Sequence, residues 1–147
     1  MKTLILILFL SSTLIAFGQS NYSKYIVADS VGKTEFVKHK DGDEKITYLG
    51  VIKKQNSDTL YYVIITFRRV QAAIVMHGHS DIIFLNRDYK EAKSYELGLP
   101  EELPYKLVNN VLYFKYVDEK TGKKAVFKNK IETVLPKMMC ISPVECY

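Results

Sequence analysis

Short runs of β-forming residues alternate with turn signals along the chain, and this pattern limits the fold more than any other feature of the sequence. Runs rich in Tyr, Val, Ile and Phe are separated, about every 8 to 12 residues, by clusters of Asn, Asp, Gly and Ser. Asp41-Gly42 and Asn109-Asn110 are typical of two-residue hairpin loops, because these residues tolerate left-handed backbone angles. The pattern predicts an all-β, mainly antiparallel meander, sandwich or barrel of about 8–9 short strands.

The boundaries of the predicted strands follow from the same signals. We expect strands over residues 34–39, 45–53, 59–67, 70–76, 81–85, 93–97, 105–108, 111–117 and 123–128. The segment His77-Gly78-His79-Ser80 is interpreted as a hairpin turn, because a glycine and polar residues separate two apolar runs. Pro100 to Pro104 predicts one helical turn, since proline suits a first helical position and acidic residues suit a first turn.

The N-terminal residues have the layout of a secretory signal. Lys2 precedes an apolar run from Leu4 to Leu10, and small residues at Ala16 and Gly18 suit a signal peptidase that cuts before Gln19. The run is too short for a spanning helix, which needs roughly 20 apolar residues, and no later segment is long and apolar enough to span a membrane. We therefore expect a signal peptide at 1–18 and one antiparallel β domain at 19–147, located in the periplasm or outside the cell.

Two cysteines, Cys140 and Cys146, lie near the C-terminus. In an exported protein an even number of closely spaced cysteines indicates a disulfide bond. Ser142-Pro143 supplies the chain reversal that such a bond needs. A loop this short stabilises the fold by only about 2 to 2.5 kcal/mol in the chain-entropy treatment, so we expect the bond to staple the tail rather than organise the domain.

Basic residues outnumber acidic ones, and the formal net charge is +5. Between Lys106 and Lys137 there are eight lysines and three acidic residues. Export argues against nucleic acid as the partner of this segment. We interpret the lysines as a solvated face that keeps strand edges from pairing with other chains. The functional alternative is an anionic glycan or a membrane surface.

One segment has the residue types of a metal site. An apolar run ends in His77, His79 and Asp81, which would share one face of an extended strand. This spacing resembles the zinc motif of the metallo-β-lactamase family, but no histidine follows His79, so the resemblance is confined to this segment. His39 is the one other histidine and belongs to a different predicted hairpin. We favour the interpretation of this segment as a hairpin turn, and keep His77, His79 and Asp81 as metal candidates of lower rank.

The predicted strand Thr59–Phe67 is apolar on both faces. It is either a central strand that is covered on both sides, or one of its faces lines a cavity or a partner surface. The candidate ligand or partner residues are Tyr61, Tyr62, Val63, Ile65 and Phe67.

The sequence contains no motif for nucleophilic catalysis or phosphate binding, and we assign no catalytic residue and no cofactor. The leading hypothesis is a non-enzymatic, exported β domain that binds a small apolar ligand, a glycan or a protein through one sheet face. The alternative is a structural or assembly protein that buries residues 59–67 against another chain. A metal-dependent hydrolase centred on His77 and His79 ranks third. The oligomeric state stays open.

Overall fold

The computed structural model describes residues 21–147, and the predicted signal peptide at 1–18 lies outside them. The described chain forms eight strands in two antiparallel sheets, which confirms the predicted fold class. The strands are β1 Thr34–His39, β2 Gly42–Lys53, β3 Thr59–Ala72, β4 Val75–Leu85, β5 Glu91–Leu97, β6 Lys106–Val108, β7 Val111–Val117 and β8 Lys124–Lys130. Strands β1 to β5 form the first sheet and β6 to β8 form the second, each in chain order.

Short 3₁₀ turns complete the described structure. They lie at Tyr22–Tyr25, Ala28–Ser30 and Pro100–Glu102. The last is the helical turn that the sequence predicts, and it connects the two sheets. The carboxylate of Glu102 accepts hydrogen bonds from the backbone N–H groups of Gly98 (2.8 Å) and Leu99 (2.9 Å), so it satisfies donors that the short turn itself leaves free.

The hairpin between β3 and β4 differs from the prediction. Its loop is Ala73-Ile74, with Ala73 at φ 56°, and His77 to Ser80 lie within β4 instead of forming a turn. The register explains the difference, because it places Ile82 opposite Ile65 and so aligns the apolar parts of both strands. A turn at His77–Ser80 would forfeit that pairing.

Gly78 therefore has a packing role and does not bend the chain. A Cβ at this position would lie 2.9 Å from Cε2 of Phe67, so the aromatic ring covers the glycine across the strand pair.

The main core lies between the two sheets. In β4 and β5 its buried members alternate with residues of the opposite face, as a strand period of two requires, and in β2 an irregularity between Tyr48 and Gly50 interrupts the alternation. Their partners come from β7 and from the C-terminal tail. The buried residues of this core are Leu49, Ile52, Val63, Ile82, Phe84, Tyr95, Leu97, Leu112, Phe114, Ile131, Met139 and Ile141.

A second, smaller core covers the opposite face of the first sheet. Ile64 and Ile83 pack there beneath Tyr25 of the N-terminal 3₁₀ turn, and Ile26 extends the cover. Strand β3 is thus a central strand that is covered on both faces, which is one of the two arrangements predicted from its composition.

The side chain of Asn110 joins the two sheets. Its amide Nδ2 donates to the carbonyl of Lys53 at 2.6 Å, and its Oδ1 accepts from the N–H of Lys53 at 2.9 Å. This reproduces the pair of hydrogen bonds that a neighbouring strand would supply. Asn110 holds φ at 62° in the hairpin loop between β6 and β7, a conformation that asparagine adopts more readily than most residues.

The C-terminal tail forms a small closed hairpin. Cys140 and Cys146 form a disulfide bond, in agreement with the sequence prediction. Met139 and Tyr147 exchange both of their backbone hydrogen bonds just outside it. Because Met139 and Ile141 belong to the main core, the closed tail covers one end of the space between the sheets.

Candidate functional site

The candidate face on Thr59–Phe67 is divided between the layers of the fold. Val63 is fully buried in the main core, and Tyr61 and Ile65 pack against that core. Tyr62 lies on the other face of the sheet, where its ring stacks on Tyr89 at 5.0 Å between centroids.

Two residues of that candidate face border an open cavity. Ile65 and Phe67 line a shallow hollow of about 330 Å³ between strands β1 to β3 and the Pro100–Glu102 turn. The end of the candidate face at Ile65 and Phe67 thus borders open space.

The metal candidates lie side by side in β4. His77, His79 and Asp81 occupy alternate positions and so share one face of the sheet. Nδ1 of His79 is 3.2 Å from Oε1 of Glu96 on the adjacent strand. Within residues 21–147 no group of three His, Cys, Asp or Glu side chains is arranged to hold a metal ion.

The same sheet face carries a buried carboxylate that the sequence analysis did not single out. The carboxylate of Glu44, a residue only 5% exposed, lies 2.9 Å from the hydroxyl of Tyr22 and 3.0 Å from Nε2 of His39. Arg68 is its cross-strand neighbour on β3. The signal that could have found Glu44 is the alternation of Ile46 and Tyr48, which extends back to Glu44 ahead of the predicted strand 45–53. A charge at such an inward position needs bonded partners.

Asp81 belongs to this polar part of the sheet. Burial raises the pKa of its carboxyl group, and the negative charge of Glu96 raises it further. Thr66, which is directly opposite on β3, is buried. We infer that this face is a polar extension of the second core.

A larger cleft lies at the end of the molecule that carries the disulfide bond. It measures about 500 Å³ and is bounded by the Pro100–Glu102 turn, the end of β7 with the following turn, and the loop inside the disulfide. Its lining includes apolar side chains that are unusually open to solvent, with Leu99 at 57% and Val144 at 83% exposure. Cavities of this size are typical of sites for small molecules.

The rim of the cleft is acidic. Its carboxylates outnumber the two lysines of the lining, Lys115 and Lys120, although the whole chain is basic. Within the described chain none of these carboxylates forms an ion pair with a lysine or an arginine. The acidic residues of the rim are Glu101, Glu102, Asp118, Glu119 and Glu145.

Hydrogen bonds hold the walls of the cleft together. The hydroxyl of Tyr147 lies 3.0 Å from Oε2 of Glu102 and 2.9 Å from Oε1 of Glu145, so it connects the 3₁₀ turn to the disulfide-closed tail. Burial, followed by these two hydrogen bonds, raises the pKa of Tyr147. On the opposite wall, hydrogen bonds from Thr121 and then Lys120 lower the pKa of Asp118, so this group stays ionised at the rim.

Comparisons with protein-family models, with curated protein sequences and with solved structures find no match for this chain. In the described residues no helix has the length and apolar character needed to cross a membrane.

Proposed function

We propose that the protein is an exported, non-enzymatic binding domain, and that the cleft beside the disulfide bond holds a small apolar ligand with a positively charged group. The observation that carries the proposal is the convergence of exposed apolar side chains on one concave surface of about 500 Å³. Exposed Leu99 and Val144 lie on separate segments of the chain, so the fold brings them together.

The charge of the rim selects the kind of ligand. Five carboxylates without lysine or arginine partners surround an apolar floor, and they favour a cation over an anion of the same size. The walls suit a binding role, because the disulfide and the Tyr147–Glu102 hydrogen bond fix them before a ligand arrives.

A titration with an amphiphilic cation tests the proposal. Decyltrimethylammonium, kept below the concentration at which it forms micelles, is added to isotope-labelled protein while backbone amide shifts are recorded. We expect saturable shifts at the cleft, and weaker binding of decyl maltoside, which has the same chain and no charge. Saturable shifts confined to another surface, or no shifts at all, would contradict the proposal.

Matched variants identify the site. Val144→Ser removes an apolar group from the cleft, whereas Val134→Ser removes one that is similarly exposed, at 79%, and does not line the cleft. The first should weaken binding several-fold and the second should leave it unchanged. Equal effects of the two substitutions would show that the cation binds to exposed apolar groups in general.

Export is the other half of the proposal. The disulfide bond is consistent with an oxidising compartment, and the N-terminal sequence has the signal layout. Intact-mass measurement of protein recovered from outside the cytoplasm should show the loss of residues 1–18. A full-length protein retained in the cytoplasm would refute it.

The assembly hypothesis receives less support. It requires Thr59–Phe67 to be covered by another chain, whereas both faces of β3 already pack within the described chain. We therefore keep it as a prediction that a measurement of the oligomeric state would test.

A further inference from the structure

The outer face of the second sheet gathers lysines that are scattered in the sequence. Residues that are paired across neighbouring strands point to the same face, and the register places Lys106 and Lys128 on either side of Tyr113. Lys115 is the next outward residue on β7. Lys124 and Lys130 occupy alternate, exposed positions of β8. The strand residues of this face are Lys106, Val108, Val111, Tyr113, Lys115, Val117, Lys124, Val126, Lys128 and Lys130, and none of them is acidic.

Three of the five ammonium groups of this face lie over aromatic rings. Nζ of Lys106 is 4.7 Å and Nζ of Lys128 is 5.6 Å from the centroid of the Tyr113 ring. Lys115 lies 4.9 Å from the ring of Tyr105, which packs edge-on against Tyr113. Within residues 21–147 none of the five lysines forms an ion pair. The rings offset only part of the repulsion between the lysines.

We propose that this face, which we call the lysine face, binds an anionic polysaccharide. A negatively charged polymer would neutralise several ammonium groups at once, and its binding would relieve a repulsion that is present in the free protein. A linear glycan also fits the shape. Three strands roughly 5 Å apart, with β7 and β8 of seven residues each, form a narrow and extended platform.

A membrane surface is the less suitable partner. The apolar residues of the lysine face are valines set between lysines on a flat sheet, and peripheral membrane binding generally inserts a protruding apolar stripe. The tyrosine rings beneath the lysines are amphipathic contact surfaces that suit a sugar. The lysine face borders the cation-binding cleft proposed above, because Lys115 and Val117 line both. The other four lysines of the face do not line the cleft, so substitutions confined to them test this proposal independently of the cleft.

Heparin is a suitable probe, because it is a linear and highly charged polysaccharide. Its affinity for the protein is measured at several salt concentrations. The triple variant Lys106→Gln, Lys128→Gln, Lys130→Gln removes three charges of the lysine face that do not line the cleft. It should weaken binding by about tenfold or more, and should flatten the dependence of the affinity on salt. Melting curves establish that the variant is folded.

The control triple is Lys33→Gln, Lys38→Gln, Lys40→Gln, which removes the same charge from exposed positions in and around β1. It should leave heparin binding nearly unchanged. Equal losses in both triples would overturn the proposal, because net charge alone would then explain binding. Absence of heparin binding by the parent protein would also overturn it. The proposal would likewise be overturned if the protein bound vesicles of phosphatidylglycerol and phosphatidylcholine with higher affinity than heparin.

Discussion

The bridge made by Asn110 can be tested by two substitutions that separate hydrogen bonding from backbone strain. Asn110→Gly removes both hydrogen bonds to Lys53 and keeps the positive φ of 62° accessible. Each bond lies at a partly exposed position and is worth about 0.5–1 kcal/mol, so we expect a loss of about 1–2 kcal/mol. Asn110→Ala should lose about 1 kcal/mol more, because alanine is strained in the left-handed region.

The assay is urea-induced unfolding followed by circular dichroism, with thermal melts as a second measurement. In a chain of this length, 1 kcal/mol corresponds to a shift of about 3–4 °C in Tm. Asn109→Gly is the matched control, since Asn109 has a φ of 49° in the same loop and does not bond to Lys53. The reasoning is refuted if Asn110→Gly unfolds at the same urea concentration as the control.

Three further predictions concern charge, the tail and the metal candidates. The fold raises the pKa of Asp81, so ionising this carboxyl group at neutral pH lowers the stability of the folded protein. This loss disappears once the pH is below the ordinary pKa of aspartate, where the group is protonated in both the folded and the unfolded state. Asp81→Asn should therefore raise Tm at neutral pH and leave Tm unchanged in acid. Replacing both Cys140 and Cys146 by Ser should lower stability by about 2 kcal/mol and leave the domain folded, and a fully unfolded variant would contradict this. His77→Ala and His79→Ala should each change the free energy of unfolding by about 1 kcal/mol or less. Metal analysis of untagged protein should find no stoichiometric transition metal. One zinc per chain that is lost in His77→Ala would instead make the metal-dependent hydrolase the leading hypothesis.

Turn chemistry made much of the fold predictable. Asn109 and Asn110 adopt the left-handed angles that their residue type indicates. The loop between β1 and β2 was predicted one residue too late, because it is Lys40-Asp41 and Gly42 is already paired with His39 in β2. The β3–β4 loop was mispredicted because Ala73 and Ile74 carry no turn signal. The register of β3 and β4 is set along the whole strand pair, as far from the loop as the pairing of Tyr62 with Leu85. This pairing outweighed the local preference of Gly78 for a turn.

The sites were harder to predict, because they depend on which segments meet. Leu99 and Val144 are far apart in the sequence, and neither has an unusual neighbour that indicates a cleft. The lysine excess after Lys106 was visible in the sequence, but its concentration on one face follows from the pairing of β6, β7 and β8. Glu44 lay outside the predicted strand 45–53, whereas β2 begins at Gly42 and brings the carboxylate of Glu44 beside Tyr22 and His39.

The chain-order arrangement of the strands has a consequence for the kinetics of folding. Every sheet neighbour is also a neighbour in the chain, so each hairpin closes at a small entropic cost and needs no distant segment. The core between the sheets is costlier to form, because it brings together residues as far apart in the chain as Leu49 and Ile141. We therefore expect hairpins to form early and the docking of the two sheets to limit the rate. Cys140 and Cys146 are six residues apart, so their disulfide bond can form before or after the two sheets dock.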